Sequence, residues 1–241
     1  KFEPNRGFFD APFHVTITVA TPGAEIRYTL DGSKPTAANG KVYAGPIAID
    51  TTTTLRAAAF KSGLRASNID THTYLFAEEI IRQPAKPAGF PTSWNGHPAD
   101  YEMDPEVVND RNYKGRVAGA LKAIPSLSLV LNRDDFFKTG QGIYPKGESV
   151  EKATSVELIY PNTKEGAQVD GSVQIVGGSS TGRWKVDKLS MRLKFTSQFG
   201  DSSFQYSLFS EDAMSQFDTL VVDARLNNVW SYGGGSGPSD Q

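Results

Sequence analysis

Three cations, Lys188, Arg192 and Lys194, fall on alternate positions of one short stretch. In the stretch from Lys188 to Thr196, Lys188, Ser190, Arg192 and Lys194 alternate with Leu189, Met191, Leu193 and Phe195. Side chains of a strand point alternately to opposite faces, so a strand here is expected to place the polar set outward and the apolar set in a core. Just upstream lies Gly177-Gly178-Ser179-Ser180. A glycine turn lets backbone N–H groups approach phosphate oxygens, and Lys or Arg neutralises their charge. Gly177, Gly178, Ser179, Ser180, Lys188, Arg192 and Lys194 are therefore the candidate nucleotide-contacting set. The bland reading is a solvated outer face, the commonest fate of alternating Lys and Arg. The GGSS loop also lacks the Lys-Ser/Thr ending of a phosphate loop.

Other combinations carry less. Asp223 and Arg225 share a strand face, but an exposed pair at that spacing is worth little. Asp134-Asp135 stands where Asp normally caps a turn or short helix. His14, His72 and His97 are scattered, and the chain has no cysteine, so neither a zinc site nor a thiol nucleophile is indicated. Ser179 and Ser180 lack the G-x-S-x-G setting of a hydrolase. No catalytic residue and no metal ligand is assigned.

The elements that would position these residues fall into two parts. Over 241 residues, 23 Gly and 14 Pro favour turns and short strands over long helices. With a net charge of −2, neither nucleic acid nor an acidic membrane is implied as a bulk partner, and no apolar run is long enough to span a bilayer. In His14–Thr21, Val15, Ile17 and Val19 alternate with polar residues. After Pro22-Gly23, Ile26, Tyr28 and Leu30 share a face, and Asp31-Gly32 suits a tight turn. Further short strands fit Lys41–Tyr43, Ile47–Ile49, Thr53–Phe60 and Thr71–Phe76. This spacing predicts an antiparallel β-sandwich over residues 1–77, folding without a partner surface.

The runs FFDAPFHVTI, PGAEIRYTLDGSKPT and VYAGPIAIDTTTTLRAAAF resemble the chitobiase/β-hexosaminidase C-terminal-type, fibronectin-III-like module. The resemblance implies an accessory spacer on a secreted bacterial protein, without catalytic residues. Exposed Tyr28, Tyr43 or Tyr74 would be the means of binding carbohydrate, although Tyr in a strand more often packs against the sheet.

Residues 78–100 hold Pro84, Pro87, Pro91 and Pro98, a density that predicts an extended linker, with Phe90 and Trp94 as anchors. Asp104-Pro105 reads as a helix start, and Asp110 as the cap of a second helix on which Tyr113, Val117, Leu121 and Ile124 recur until Pro125. Strands follow at SLSLVL, VELIY, VDGSVQIVGG, KLSMRLKFT and FDTLVVDARLNN. The second part, residues 101–232, is expected to be an α+β domain, and the chain as a whole mixed. Residues 233–241, Gly-rich, read as a flexible tail, and the start at Lys1 without Met suggests a processed or excised chain.

MDPEVVND, ALKAIPSLSLVL, GIYPKGES, SVELIYP, VQIVGGSS, KLSMRLKF and FDTLVVDARLNN, in that order, resemble the start of the spore-coat protein H (CotH) kinase-like family. The resemblance covers about Tyr101 to Trp230, the family's first half. It implies the N-terminal lobe of a protein-kinase-like fold, with ATP and Mg²⁺ as cofactors of the complete parent domain. The family's later Asp-bearing half has no counterpart here, so the chain as given is expected to be inactive, with no cofactor of its own. Two functional readings follow. One is the accessory module and nucleotide-side portion of an extracellular protein kinase. The other is a structural, adhesion or matrix protein of the cell surface. Expected partners are the remaining domains of the parent, and protein or glycan surfaces.

Overall fold

The computed structural model describes residues 1–94, 96–161, 166–177, 189–208 and 214–224. Within these, compactness divides the chain into two units. The first comprises Lys1–Pro87, Tyr101–Arg133 and Ser155–Val169; the second comprises Ala88–Asp100, Asp134–Thr154 and Asp170–Gln241. One of its boundaries falls between Asp100 and Tyr101.

The first unit contains the sandwich. One sheet pairs β1 (Phe2–Glu3), β3 (Phe13–Ile17) and β6 (Ile47–Ile49). The other runs in the order β2 (Gly7–Phe8), β8 (Asp70–Leu75), β7 (Thr53–Phe60), β4 (Glu25–Thr29) and β5 (Lys41–Val42). All pairings are antiparallel except that of β2 with β8. Alternation then does the folding: Val15, Ile17, Ile26, Ile47, Ile49, Leu55 and Tyr74 point inward and are buried. Phe9 and Phe13 stack at 4.0 Å and close one end of this core. Two expected core positions are exposed. Val19 lies past the end of β3, and Leu30 opens the turn after β4. That turn is made by Asp31-Gly32, with Gly32 at φ +78° and Ser33 N–H donating to Asp31 Oδ1. A Cβ at Gly32 would collide with the Leu131 carbonyl, so glycine is required twice over.

The outer face of the five-stranded sheet is covered as well. Arg56, Thr71 and Thr73 project there and are buried, rather than forming the solvated polar face that alternation suggests. Two later strands, β11 (Ser126–Val130) and β12 (Glu151–Ile159), pair antiparallel with Ser128 opposite Glu157. Ser128 Oγ lies 2.8 Å from Thr73 Oγ1, and Glu157 also bonds Thr73, so this pair of strands lies on the sandwich. Residues 1–77 therefore have a partner surface within their own unit.

Between them, a short α1 (Ala77–Ile80) follows the sandwich. α2 (Pro105–Val108) starts as expected, with the Asp104 carboxylate accepting from Glu106 N–H. The second expected helix shrinks to α3 (Val117–Leu121). Asp110 caps a turn instead, accepting from Asn112 N–H, and Tyr113 and Ile124 are exposed. Gly115 and Gly119 in this stretch weaken helix propagation, which explains the shortening.

In the second unit the linker segment is not featureless: β9 (Ser93–Trp94) pairs with β10 (His97–Pro98). Trp94 is buried, stacked on Phe137 at 5.6 Å and tilted against Tyr144 at 4.7 Å. Phe137 ends α4 (Arg133–Phe137), and Tyr144 belongs to α5 (Ile143–Lys146). Phe90 meets Phe137 edge-on at 5.8 Å, so both linker aromatics act as anchors. The sheet here joins β13 (Gly166–Ile175) to β14 (Met191–Lys194), and β14 to β17 (Thr219–Val222), all antiparallel. β15 (Phe204–Gln205) and β16 (Gln216–Phe217) form a separate short ladder. Val173, Ile175, Leu193, Phe195 and Phe204 make the core.

Candidate functional site

Of the phosphate-contact candidates, Gly178, Ser179, Ser180 and Lys188 lie outside the described residues, as does Arg225. Gly177 is exposed at the end of β13, with φ +129°. Arg192 and Lys194 stand on one face of β14, opposite Gln174 and Ser172 of β13. Lys194 is engaged: its Nζ lies 3.3 Å from Glu151 Oε2, both side chains about one-third exposed. The other oxygen of Glu151 accepts from Ser172 Oγ. Arg192 is half-buried and makes no ion pair among the described residues. Ser190, expected to face outward, is buried and donates to Asp223 Oδ1 at 2.8 Å. Met191, expected inside, is only half-buried, while Leu189, Leu193 and Phe195 are buried. Among the described residues, the face thus presents one cation without an ion pair and one lysine already neutralised by a carboxylate.

The denser polar arrangement lies in the first unit, and sequence reasoning missed it. Glu157, fully buried, accepts from Arg6 Nε at 2.8 Å, from Thr73 N–H at 3.2 Å and from the Thr73 hydroxyl. Arg6 also donates from Nη2 to the Thr71 carbonyl at 3.1 Å, and from its backbone N–H to His72 Nδ1 at 3.2 Å. Arg56 reaches the Gly32 carbonyl and Thr71 Oγ1. The signal was a lone acid in the apolar run Val156–Ile159, which a buried strand tolerates only with a partner.

Burial sets the electrostatics here. It pushes the Glu157 carboxyl above its usual range, against the pull of Arg6 and the Thr73 hydrogen bonds. It lowers His72 to about 3, with Arg6 adding to the shift, so the imidazole is neutral. Because Nδ1 accepts from Arg6, the ring proton sits on Nε2. The Tyr74 hydroxyl is raised for the same reason and donates to the Pro4 carbonyl.

None of the three tyrosines proposed for sugar contact forms an outward platform. Tyr74 is fully buried, and Tyr28 and Tyr43 are half-buried and packed on the sandwich core. The Tyr43 hydroxyl accepts from Ile17 N–H at 3.0 Å. Among the described residues, no group of three or more His, Cys, Asp or Glu is placed to hold a metal ion. No helix among them is long and apolar enough to cross a membrane.

Residues 4–71 match the family of the chitobiase/beta-hexosaminidase C-terminal domain. The match starts after β1, ends inside β8, and includes Arg6 and Thr71. Such a domain marks an accessory part of a larger multi-domain protein. No curated protein and no solved structure matches the chain. The sandwich carries its buried polar cluster on the face that meets β11 and β12, and Tyr28, Tyr43 and Tyr74 serve its own core.

Proposed function

We propose that this chain belongs to a secreted bacterial multi-domain protein in which the chitobiase-type sandwich is a non-catalytic brace for the strands that follow it. The observation that carries this reading is Glu157, buried on β12 and held by Arg6 and Thr73 of the sandwich. A freely swinging spacer has no need to bury a carboxylate from the next region, because desolvating a charge is costly unless it is paired. The family's occurrence in extracellular glycosidases supports secretion. The CotH resemblance supports a finer reading, in which the region after the sandwich is the nucleotide-side portion of a kinase-like domain. Phosphotransfer would need in addition carboxylates that hold Mg²⁺ and a base that positions an acceptor. The neutralised Lys194 favours the other reading, a structural or adhesive surface protein with no catalytic role.

Hydrogen exchange tests the brace. Amides of β7 and β8 are expected to exchange faster in a chain of residues 1–80 than in the full chain. Equal protection in the two would remove the bracing role.

A further inference from the structure

The seam beside the N-terminal strands is open. A cleft of about 540 Å³ is walled by residues of β1, β2 and β8 together with Tyr160 and Pro161. A smaller hollow of about 170 Å³, lined by Ala57–Ala59 and Val19, shares Lys1, Phe2 and Asp70 with it. The two hollows adjoin at these three residues, and the larger alone is in the size range of ligand sites, with room for more than one small ring.

Three polar groups of the cleft, one donor and two acceptors, have no partner among the described residues. His72 lines it, is 8% exposed, stacks on Phe2 at 4.1 Å, and carries its proton on Nε2. No acceptor for that N–H exists among the described residues, although a buried donor normally has one. The carboxylates of Glu3 and Asp70 line the same cleft, exposed and without a hydrogen-bond or ion-pair partner among the described residues. Arg6, by contrast, is spent on Glu157.

A ligand that satisfies these groups must donate to carboxylates and accept from an imidazole N–H. Hydroxyl groups do both. An anion would meet Glu3 and Asp70, and a cation would meet Lys1 and the His72 N–H. The half-exposed rings of Phe8 and Tyr160 offer apolar surface for C–H groups. We propose that this groove binds a neutral sugar of two linked rings, with Asp70 and His72 as its polar contacts.

The test is a titration of the full chain with cellobiose and with di-N-acetylchitobiose, followed by NMR chemical shifts and calorimetry, with glucose 6-phosphate as the anionic comparator. Expected is saturable binding of at least one disaccharide, with a Kd on the order of 1 mM and shifts at Phe8, His72 and Tyr160. Asp70→Ala should weaken it about tenfold with an unchanged melting curve, since that side chain is exposed. His72→Gln, which keeps an N–H donor, should bind more tightly than His72→Phe. Absence of saturation by both disaccharides, equal affinity in Asp70→Ala, or tighter binding of the phosphate would overturn the proposal.

Discussion

Two carboxylates of one strand have opposite fates. Glu157, near the end of β12, is fully buried against an Arg6 side chain that is itself 13% exposed. Glu151, at its beginning, pairs with Lys194 while both stay about one-third exposed. Both are Glu–cation pairs at ordinary distances, so chemistry alone does not distinguish them. Burial does. A buried charge left without its partner is costly, whereas an exposed pair gives back to water most of what it gains. The sandwich seam is thus a fixed joint, whereas the Lys194–Glu151 pair on β14 stays within reach of water.

The largest expected effect breaks the joint. Glu157→Ala leaves the Arg6 guanidinium without its carboxylate and Thr73 with unsatisfied donors. Removing one partner of a buried pair costs about 3–5 kcal/mol. The double variant Arg6→Met/Glu157→Leu removes both charges and should recover most of that loss. Chemical denaturation measures both. A single variant within 1 kcal/mol of wild type, on the order expected for an exposed pair, would erase the contrast between the two sites.

Acid should weaken the same seam next. His72 is neutral in the folded chain down to about pH 3, while its ordinary value is 6.5. Between those values the unfolded chain binds a proton that the folded chain refuses. Stability is full above about 6.5 and falls as pH drops toward 3, with a slope approaching about 1.4 kcal/mol per pH unit. Glu157 acts in the opposite sense, because its raised folded value means that protonation relieves a cost. That relief sets in above the ordinary carboxyl value and is common to wild type and a His72 variant, so their difference reports His72. Melting temperatures of wild type and His72→Gln from pH 6.5 down to about 5 should converge as pH falls. Parallel curves would mean that His72 titrates in the folded chain.

Much of the sandwich was legible because period-2 alternation encodes both strand and face. Val15, Ile17, Ile26, Ile47, Ile49 and Leu55 are buried as that pattern implies. What alternation cannot encode is whether the second face is also covered. Thr71, Thr73 and Arg56 read as solvent-facing, and their burial depends on Ser128 and Glu157, far away in sequence. The same limit explains Ser190: polar, on the outward parity of β14, yet buried against Asp223. The aromatic anchors Phe90 and Trp94 were legible, since large rings in a Pro-rich stretch need a surface to cover them. The short α3 was not, because helical spacing of Tyr113, Val117, Leu121 and Ile124 is outweighed by the intervening glycines.

The smallest expected effect on stability sharpens the other half of the comparison. Lys194→Met removes the ammonium from Glu151, but that carboxylate keeps access to water and its Ser172 hydrogen bond. The cost should stay within about 1 kcal/mol. The consequence for ligands is larger if the β14 face meets phosphate. Mg²⁺-ATP carries net negative charge, so it must draw Lys194 away from Glu151 or rely on Arg192, which has no competing ion pair among the described residues. Glu151→Gln frees Lys194 and should therefore raise nucleotide affinity, whereas Lys194→Met and Arg192→Ala should each lower it. Calorimetric titration of the three variants with Mg²⁺-ATP, at matched salt, reads this order directly. Phosphotransfer to a Ser-rich acceptor is expected in none of them. An unchanged affinity in Glu151→Gln would mean that the pair does not regulate access to the lysine. Complete absence of nucleotide binding in all variants and in the wild type would leave the face with a structural role, and the region after the sandwich with no phosphate chemistry of its own.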